Sequence, residues 1–182
     1  MTSSRRSTRT VLATVVFALC AAAPLRPCEA QLEGGPTIGA RAPQVRTTDL
    51  DGREVELGAD FGKRPVLIEF WATWCTPCRD LMPRVDSAFA RYGDRVTFLG
   101  VNVAMNETVT GVRQYIARHP PTFQVLFDSA ATAIRAYDIQ ATSTVIIVGR
   151  DGRVAYAGVG AGQDLSGILG RLLSTDTESR SP

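Results

Sequence analysis

Two cysteines in this chain of 182 residues stand in the arrangement Cys75-Thr76-Pro77-Cys78. Thiols at that spacing suit either metal binding or reversible oxidation. A four-ligand zinc site would need two more ligands, and the chain has one histidine, His119, set between Arg118 and Pro120. A structural disulfide framework would need more bridges between more distant positions. Reversible redox chemistry is what remains. The competing reading, a pair of inert core cysteines, is weakened by what surrounds them. Pro65 to Trp71 is a continuous apolar run with one acid, and a helical pattern starts at Cys75. A strand running into a helix puts Cys75 at the helix N-terminus, where free N–H groups and the positive dipole end stabilise a thiolate. Such placement lowers a thiol pKa from about 8.5 to about 7 or below. At pH 7 the thiolate fraction then rises from roughly 3% to roughly half. Cys75 is therefore expected to be the accessible nucleophile. Cys78, one turn inward and better buried, is expected to resolve the mixed disulfide. Pro77 suits a first helical turn, where a missing N–H costs nothing.

Glu69 is the second candidate. It is the single charge in a run otherwise fit for the core. A buried carboxylate without a partner is costly, so its proton affinity should rise. Pairing with Lys63 or an arginine is the structural alternative. Met82 and Met105 read as core or loop fillers.

The elements that must position these residues follow from periodicity and turn chemistry. Residues 44–57 predict a hairpin around Asp51-Gly52. A buried strand is predicted over 65–71, and a helix from Cys75 to about Tyr92 with Pro83 inside it. A strand over 96–103 follows, then a helix capped by Asn106 and running to about Arg118. The remainder predicts a strand over 123–127 and a short helix over 129–137. A second hairpin is predicted around Asp151-Gly152, from strands over 144–148 and 153–159, with a final amphipathic helix over 163–173. The order predicts an α/β fold: a central mixed β-sheet with helices on both faces and an added N-terminal β-hairpin.

The N-terminus is of another kind. Arg5, Arg6 and Arg9 precede the apolar run 11–23, which Pro24 ends, and Cys28-Glu29-Ala30 offers a small-x-small cleavage site before Gln31. That is the pattern of an export signal; an uncleaved anchor over 11–25 is the alternative, though the run is short for a bilayer. Arg5-Arg6 hints at twin-arginine export, but Ser7 and Thr8 stand where apolar residues are expected. Taking Arg5, Arg6, Arg9 and Arg26 against Glu29 out of the 20 basic and 18 acidic residues turns the net charge of +2 into −1. The body therefore has no basic stripe for nucleic acid. Cys20 and Cys28 leave with the signal. Apolar residues at 45% and charged residues at 21% exclude a disordered or multi-pass membrane chain. The expected organisation is a signal or anchor over 1–30, a Gly/Pro-rich linker over 31–43, one domain over 44–174 and a disordered tail over 175–182. The protein is expected outside the cytoplasm, with membrane contact only through that N-terminal segment.

The segment FWATWCTPC, with PVLIEF before it and RDLMP after it, resembles the thioredoxin superfamily. The runs APQVRTTDLDGREVEL, FGKRPVLIEFWATWC, VNVAMNETVTGVRQYIARHPPTFQVLFD and YDIQATSTVIIVGRDGRVAYAGVG match, in order, its exported TlpA/ResA-like branch. The resemblance spans about Ile38 to Leu173. It implies a thioredoxin fold and disulfide exchange through Cys75 and Cys78, with no resident cofactor or metal. It also implies that Trp74 shields the cysteines and that Glu69 helps deprotonate Cys78. The implied partners are disulfide-containing exported proteins and a membrane electron donor, with cytochrome c maturation and antioxidant activity as the implied settings. Two departures stand out. Ser143, after Thr142, occupies the place of the cis-proline that faces the cysteines in the family. A cis bond before a non-proline residue costs about 2.5–4 kcal/mol, so a trans, reshaped loop is expected there. Because that proline is thought to keep metals away, Ser143 opens an alternative role in metal or iron–sulfur binding, with a site shared between two chains. Leu81, with Asp80 beside it, replaces a glutamate frequent in the branch. A peroxidase of the peroxiredoxin type ranks last, since Ala72 stands where that chemistry needs Thr or Ser.

Overall fold

The computed structural model describes residues 34–178. The expected export segment, the first residues of the linker and the last four residues lie outside them. Strand β1 (Arg46–Asp49) and strand β2 (Glu54–Glu56) form an antiparallel hairpin. The turn is held by the Asp49 carboxylate, which accepts the N–H groups of Asp51 and Arg53 at 2.8 and 2.9 Å, and by Gly52 at φ +79°. The hairpin is part of the main sheet. Strand β1 pairs antiparallel with β5 (Gln124–Phe127), and the Thr47 and Thr48 hydroxyls both donate to the Phe127 carbonyl.

At the sheet centre lies β3 (Val66–Trp71), buried along its whole length. It runs parallel to β4 (Thr97–Asn102) and antiparallel to β6 (Thr144–Val148), which turns through Asp151-Gly152 into β7 (Val154–Val159). The seven strands take the order β2-β1-β5-β4-β3-β6-β7. Strands covered on both faces favour apolar residues throughout, which is why β3, β4 and β6 read as largely apolar runs broken only by Glu69 and by polar residues at strand ends.

Four helices flank the sheet: α1 (Thr76–Tyr92), α2 (Val109–Arg118), α3 (Thr132–Ala136) and α4 (Leu165–Glu178). Side chains alternate along a strand. On β3, Trp71 meets Tyr115 of α2 at 5.8 Å between ring centroids, whereas Phe70 meets Tyr137, just past α3, at 5.7 Å. Helices α2 and α3 therefore cover opposite faces. Helix α1 packs against α4 and presents Cys78, Leu81, Val85 and Ala88 to the core. Pro83 lies within α1, and the helix runs on past it for more than two turns to Tyr92.

Three helices differ from expectation at their ends. Asn106 does not cap α2: it is left-handed at φ +56°, and Thr108 takes the role, its hydroxyl accepting the Gly111 N–H at 3.1 Å. Helix α3 is shorter than the expected 129–137, because Ala131 is left-handed. The buried Asp128 carboxylate instead receives the N–H groups of Thr132 and Ile134. Helix α4 starts later than expected, with Asp164 accepting the Gly167 N–H, and continues to Glu178, so residues 175–178 of the expected tail are helical.

Candidate active site

Strand β3 ends at Trp71, and the chain crosses Ala72-Thr73-Trp74 before α1 begins. Cys75 is the N-cap of α1, in extended conformation, and its Sγ accepts the Cys78 N–H at 3.0 Å. One of the orphan donors of the helix start is thus spent on sulfur, where a thiolate would gain most from it. Pro77 sits in the first turn, which loses nothing by its missing N–H. Cys75 and Cys78 are joined as a disulfide.

The expected difference in exposure between the two sulfurs is absent. Cys75 and Cys78 are each 2% exposed. In the oxidised protein both residues are therefore buried. The exposed residue is Trp74, at 50%, whose indole N–H donates to the Met105 carbonyl at 2.9 Å.

Glu69 is fully buried in the middle of β3, opposite Gly100 of β4 and Val145 of β6. No side chain stands at Gly100, where a Cβ would come within 2.2 Å of the Phe123 ring. Neither Glu69 oxygen meets a hydrogen-bond partner, and Lys63 instead donates to the Ala59 carbonyl. Burial pushes the Glu69 carboxyl up to about 8, with a smaller contribution from the negative charge of Asp86 on α1. The structural ion-pair alternative therefore has no counterpart here.

Ser143 lies just before β6, across from the end of β3. Every peptide bond among the described residues is trans, and Ser143 adopts φ +62°. Its N–H donates to the Phe70 carbonyl at 2.8 Å. Its own carbonyl accepts from the Gly160 N–H at 3.0 Å and from the Gln163 side chain at 3.2 Å. Both backbone groups at 143 are committed within the protein. The hydroxyl is buried without a partner. Thr142 beside it is half-buried. A left-handed conformation costs a non-glycine residue roughly 1–2 kcal/mol. Ser143→Gly is therefore expected to raise stability by about 1 kcal/mol. Ser143→Pro, which cannot keep that φ or the bond to Phe70, should lower it by at least about 2 kcal/mol. Urea unfolding midpoints check this, and equal midpoints for all three proteins would refute the loop conformation.

Elsewhere, Leu81 is fully buried on α1 and Asp80 is exposed. His119 is exposed and stacks on Tyr115 at 4.6 Å. Among the described residues, no three His, Cys, Asp or Glu side chains gather as metal ligands, and no helix is long and apolar enough to cross a membrane.

Sequence reasoning passed over Glu107. Its carboxylate accepts the Thr73 N–H at 2.8 Å, the Thr73 hydroxyl and the amide of Asn102. A signal was present: Asn102 ends an apolar strand, and a buried amide there needs partners.

A disulfide at the start of a helix, fed by the central strand of this mixed sheet, defines a thioredoxin-superfamily protein of the TlpA/ResA-like kind. The chain belongs to the Redoxin family, whose model matches residues 37–171. It is 30% identical over 117 residues to a thiol-disulfide oxidoreductase ResA from Bacillus thuringiensis subsp. konkukian, a match covering 64% of this chain and 66% of that one, just under two thirds. Among solved structures, a Chlorobium tepidum protein assigned as a thiol:disulfide interchange protein, DsbE, is similar with a TM-score of 0.65 and 26% identity, covering 76% of this chain and 96% of that one. A secreted Mycobacterium tuberculosis disulfide oxidoreductase homologous to E. coli DsbE shares the fold at TM-score 0.60 and 22% identity, covering 71% and 96%.

Proposed function

We propose that the protein is an exported thiol–disulfide oxidoreductase acting on disulfides of other exported proteins. The observation that carries this reading is the Cys75–Cys78 disulfide at the N-terminus of α1, with the Cys78 N–H aimed at the Cys75 sulfur. In the reduced protein, the Cys75 thiolate attacks one sulfur of a partner disulfide. A mixed disulfide forms, and the partner's other sulfur leaves as a thiolate that takes a proton. Cys78, giving up its proton, then attacks the Cys75 sulfur. The enzyme disulfide closes and the partner's second sulfur leaves as a thiolate, so two electrons pass to the partner, whose two thiolates take up the proton given up by Cys78 and one from solvent. The reverse sequence oxidises a partner dithiol. Glu69, whose carboxyl burial pushes up to about 8, is the proposed group that takes and returns the Cys78 proton.

Residues 1–30 support export, either as a cleaved signal or as an anchor over 11–25. The relatives' names support the exchange chemistry, and the family resemblance supports a membrane electron donor and cytochrome c maturation as the setting. The metal or iron–sulfur alternative would need ligands from a second chain besides Cys75 and Cys78; iron and sulfide content after anaerobic purification tests it.

Equilibration of the full chain with glutathione or dithiothreitol, followed by insulin reduction, tests the main reading. One two-electron couple between about −270 and −120 mV is expected, the lower end marking an electron donor and the upper an oxidant. A pair that does not titrate, or a chain that reduces no insulin, would overturn it.

A further inference from the structure

The segment Ala72-Thr73-Trp74 leads directly into the cysteines yet belongs to no helix or strand. Irregular backbone must find partners for its polar groups. For Thr73 and the Trp74 indole they come from one loop, residues 103–108, between β4 and α2. Glu107 receives both the N–H and the hydroxyl of Thr73 on one carboxylate oxygen. Its other oxygen receives the side-chain amide of Asn102, which is fully buried at the end of β4. The Asn102 carbonyl oxygen in turn accepts the Ala104 N–H at 2.9 Å. The same loop supplies the Met105 carbonyl to the indole of Trp74.

This loop is strained. Ala104 and Asn106, on either side of Met105, are both left-handed, at φ +58° and +56°. Non-glycine residues persist in that region only where their surroundings over-determine them. The surroundings here are the Asn102–Glu107–Thr73 bonds. Their outcome is that Met105, 60% exposed, and Trp74, 50% exposed, stand together beside the disulfide.

We propose that Glu107 is a positioning residue for disulfide exchange. It ties the strand-to-helix segment to the β4–α2 loop and so holds Trp74 fixed where a partner polypeptide meets the cysteines. The inference rests on the exchange reading above. Charge-assisted bonds to a carboxylate are the strong ones, and a neutral amide at the same place keeps an acceptor for Thr73. Removing the side chain frees both Thr73 donors and the Asn102 amide at once.

The test uses the full chain as wild type, Glu107→Ala and Glu107→Gln. Exchange is followed with insulin and with glutathione disulfide, alongside tryptophan emission and thermal unfolding. Glu107→Ala should unfold cooperatively and show altered tryptophan emission. Its KM for insulin should rise about tenfold, while turnover of the small disulfide changes less than threefold. Glu107→Gln should recover most of the insulin KM. Wild-type KM and emission in both variants would overturn the proposal, as would losses equal for the two substrates and proportional to unfolded protein. A wild-type chain inactive on both substrates would sink the exchange reading instead, and the emission change would still decide whether Glu107 holds Trp74.

Discussion

Cys75→Ser is expected to lose disulfide exchange by several orders of magnitude, because a serine hydroxyl at the N-cap is not ionised at neutral pH and the reaction has no other nucleophile in place. The site adds a contrast. Cys78→Ser leaves Cys75 at the helix start and removes only the group that releases the partner. It should therefore accumulate a covalent adduct between Cys75 and the partner, visible as a band that vanishes on reduction in non-reducing electrophoresis. Full activity in both variants would refute the mechanism. Adducts through Cys78 in the Cys75→Ser protein would reverse the roles.

The second large effect belongs to Glu69. Its carboxyl titrates at about 8 in the folded protein, against 4.5 for the unperturbed group. Below the lower value the acid is protonated folded or unfolded, and its burial carries no charge penalty. Between the two values the folded state holds a proton that the unfolded state has released. Stability then falls as pH rises, by about 1.4 kcal/mol for each pH unit. Above the higher value the loss is complete, on the order of 3–5 kcal/mol in all. Glu69→Gln keeps the shape without the titration. It should match the wild type near pH 4 and exceed it by several kcal/mol near pH 9 in denaturant unfolding. In exchange assays the same variant should slow release of the mixed disulfide roughly ten- to a hundredfold, because the proposed acceptor of the Cys78 proton is gone. Parallel stability curves across that range would show that Glu69 is solvated.

Much of this arrangement is readable from residue order. The Asp-Gly pairs at 51–52 and 151–152 announce both hairpins, and largely apolar runs announce the strands buried on both faces. Glu69 stands out because a lone acid in such a run has nowhere to go but inward. What stays hidden depends on groups far apart in the chain. Asn106 has the composition of a cap, yet the bonds of Glu107 to Thr73 and Asn102 draw the loop into a left-handed turn and pass capping to Thr108. Ser143 reads as a missing proline, but its positive φ follows from its bonds to Phe70 and Gly160, which no local pattern encodes. The equal burial of Cys75 and Cys78 is not legible either, since a helix start by itself leads one to expect an exposed first cysteine.

The N-terminal hairpin has one more consequence. By pairing with β5, β1 closes off a row of main-chain groups on that strand, and the edge passes to β2, which is three residues long and bears Glu54 and Glu56, the first of them 3.7 Å from Arg46. At the opposite border, Gly39 and Ala40 bond the start of β7. Short, charged or covered borders resist annealing with foreign strands. The sheet is thereby guarded on both sides against strand-to-strand association with other polypeptides.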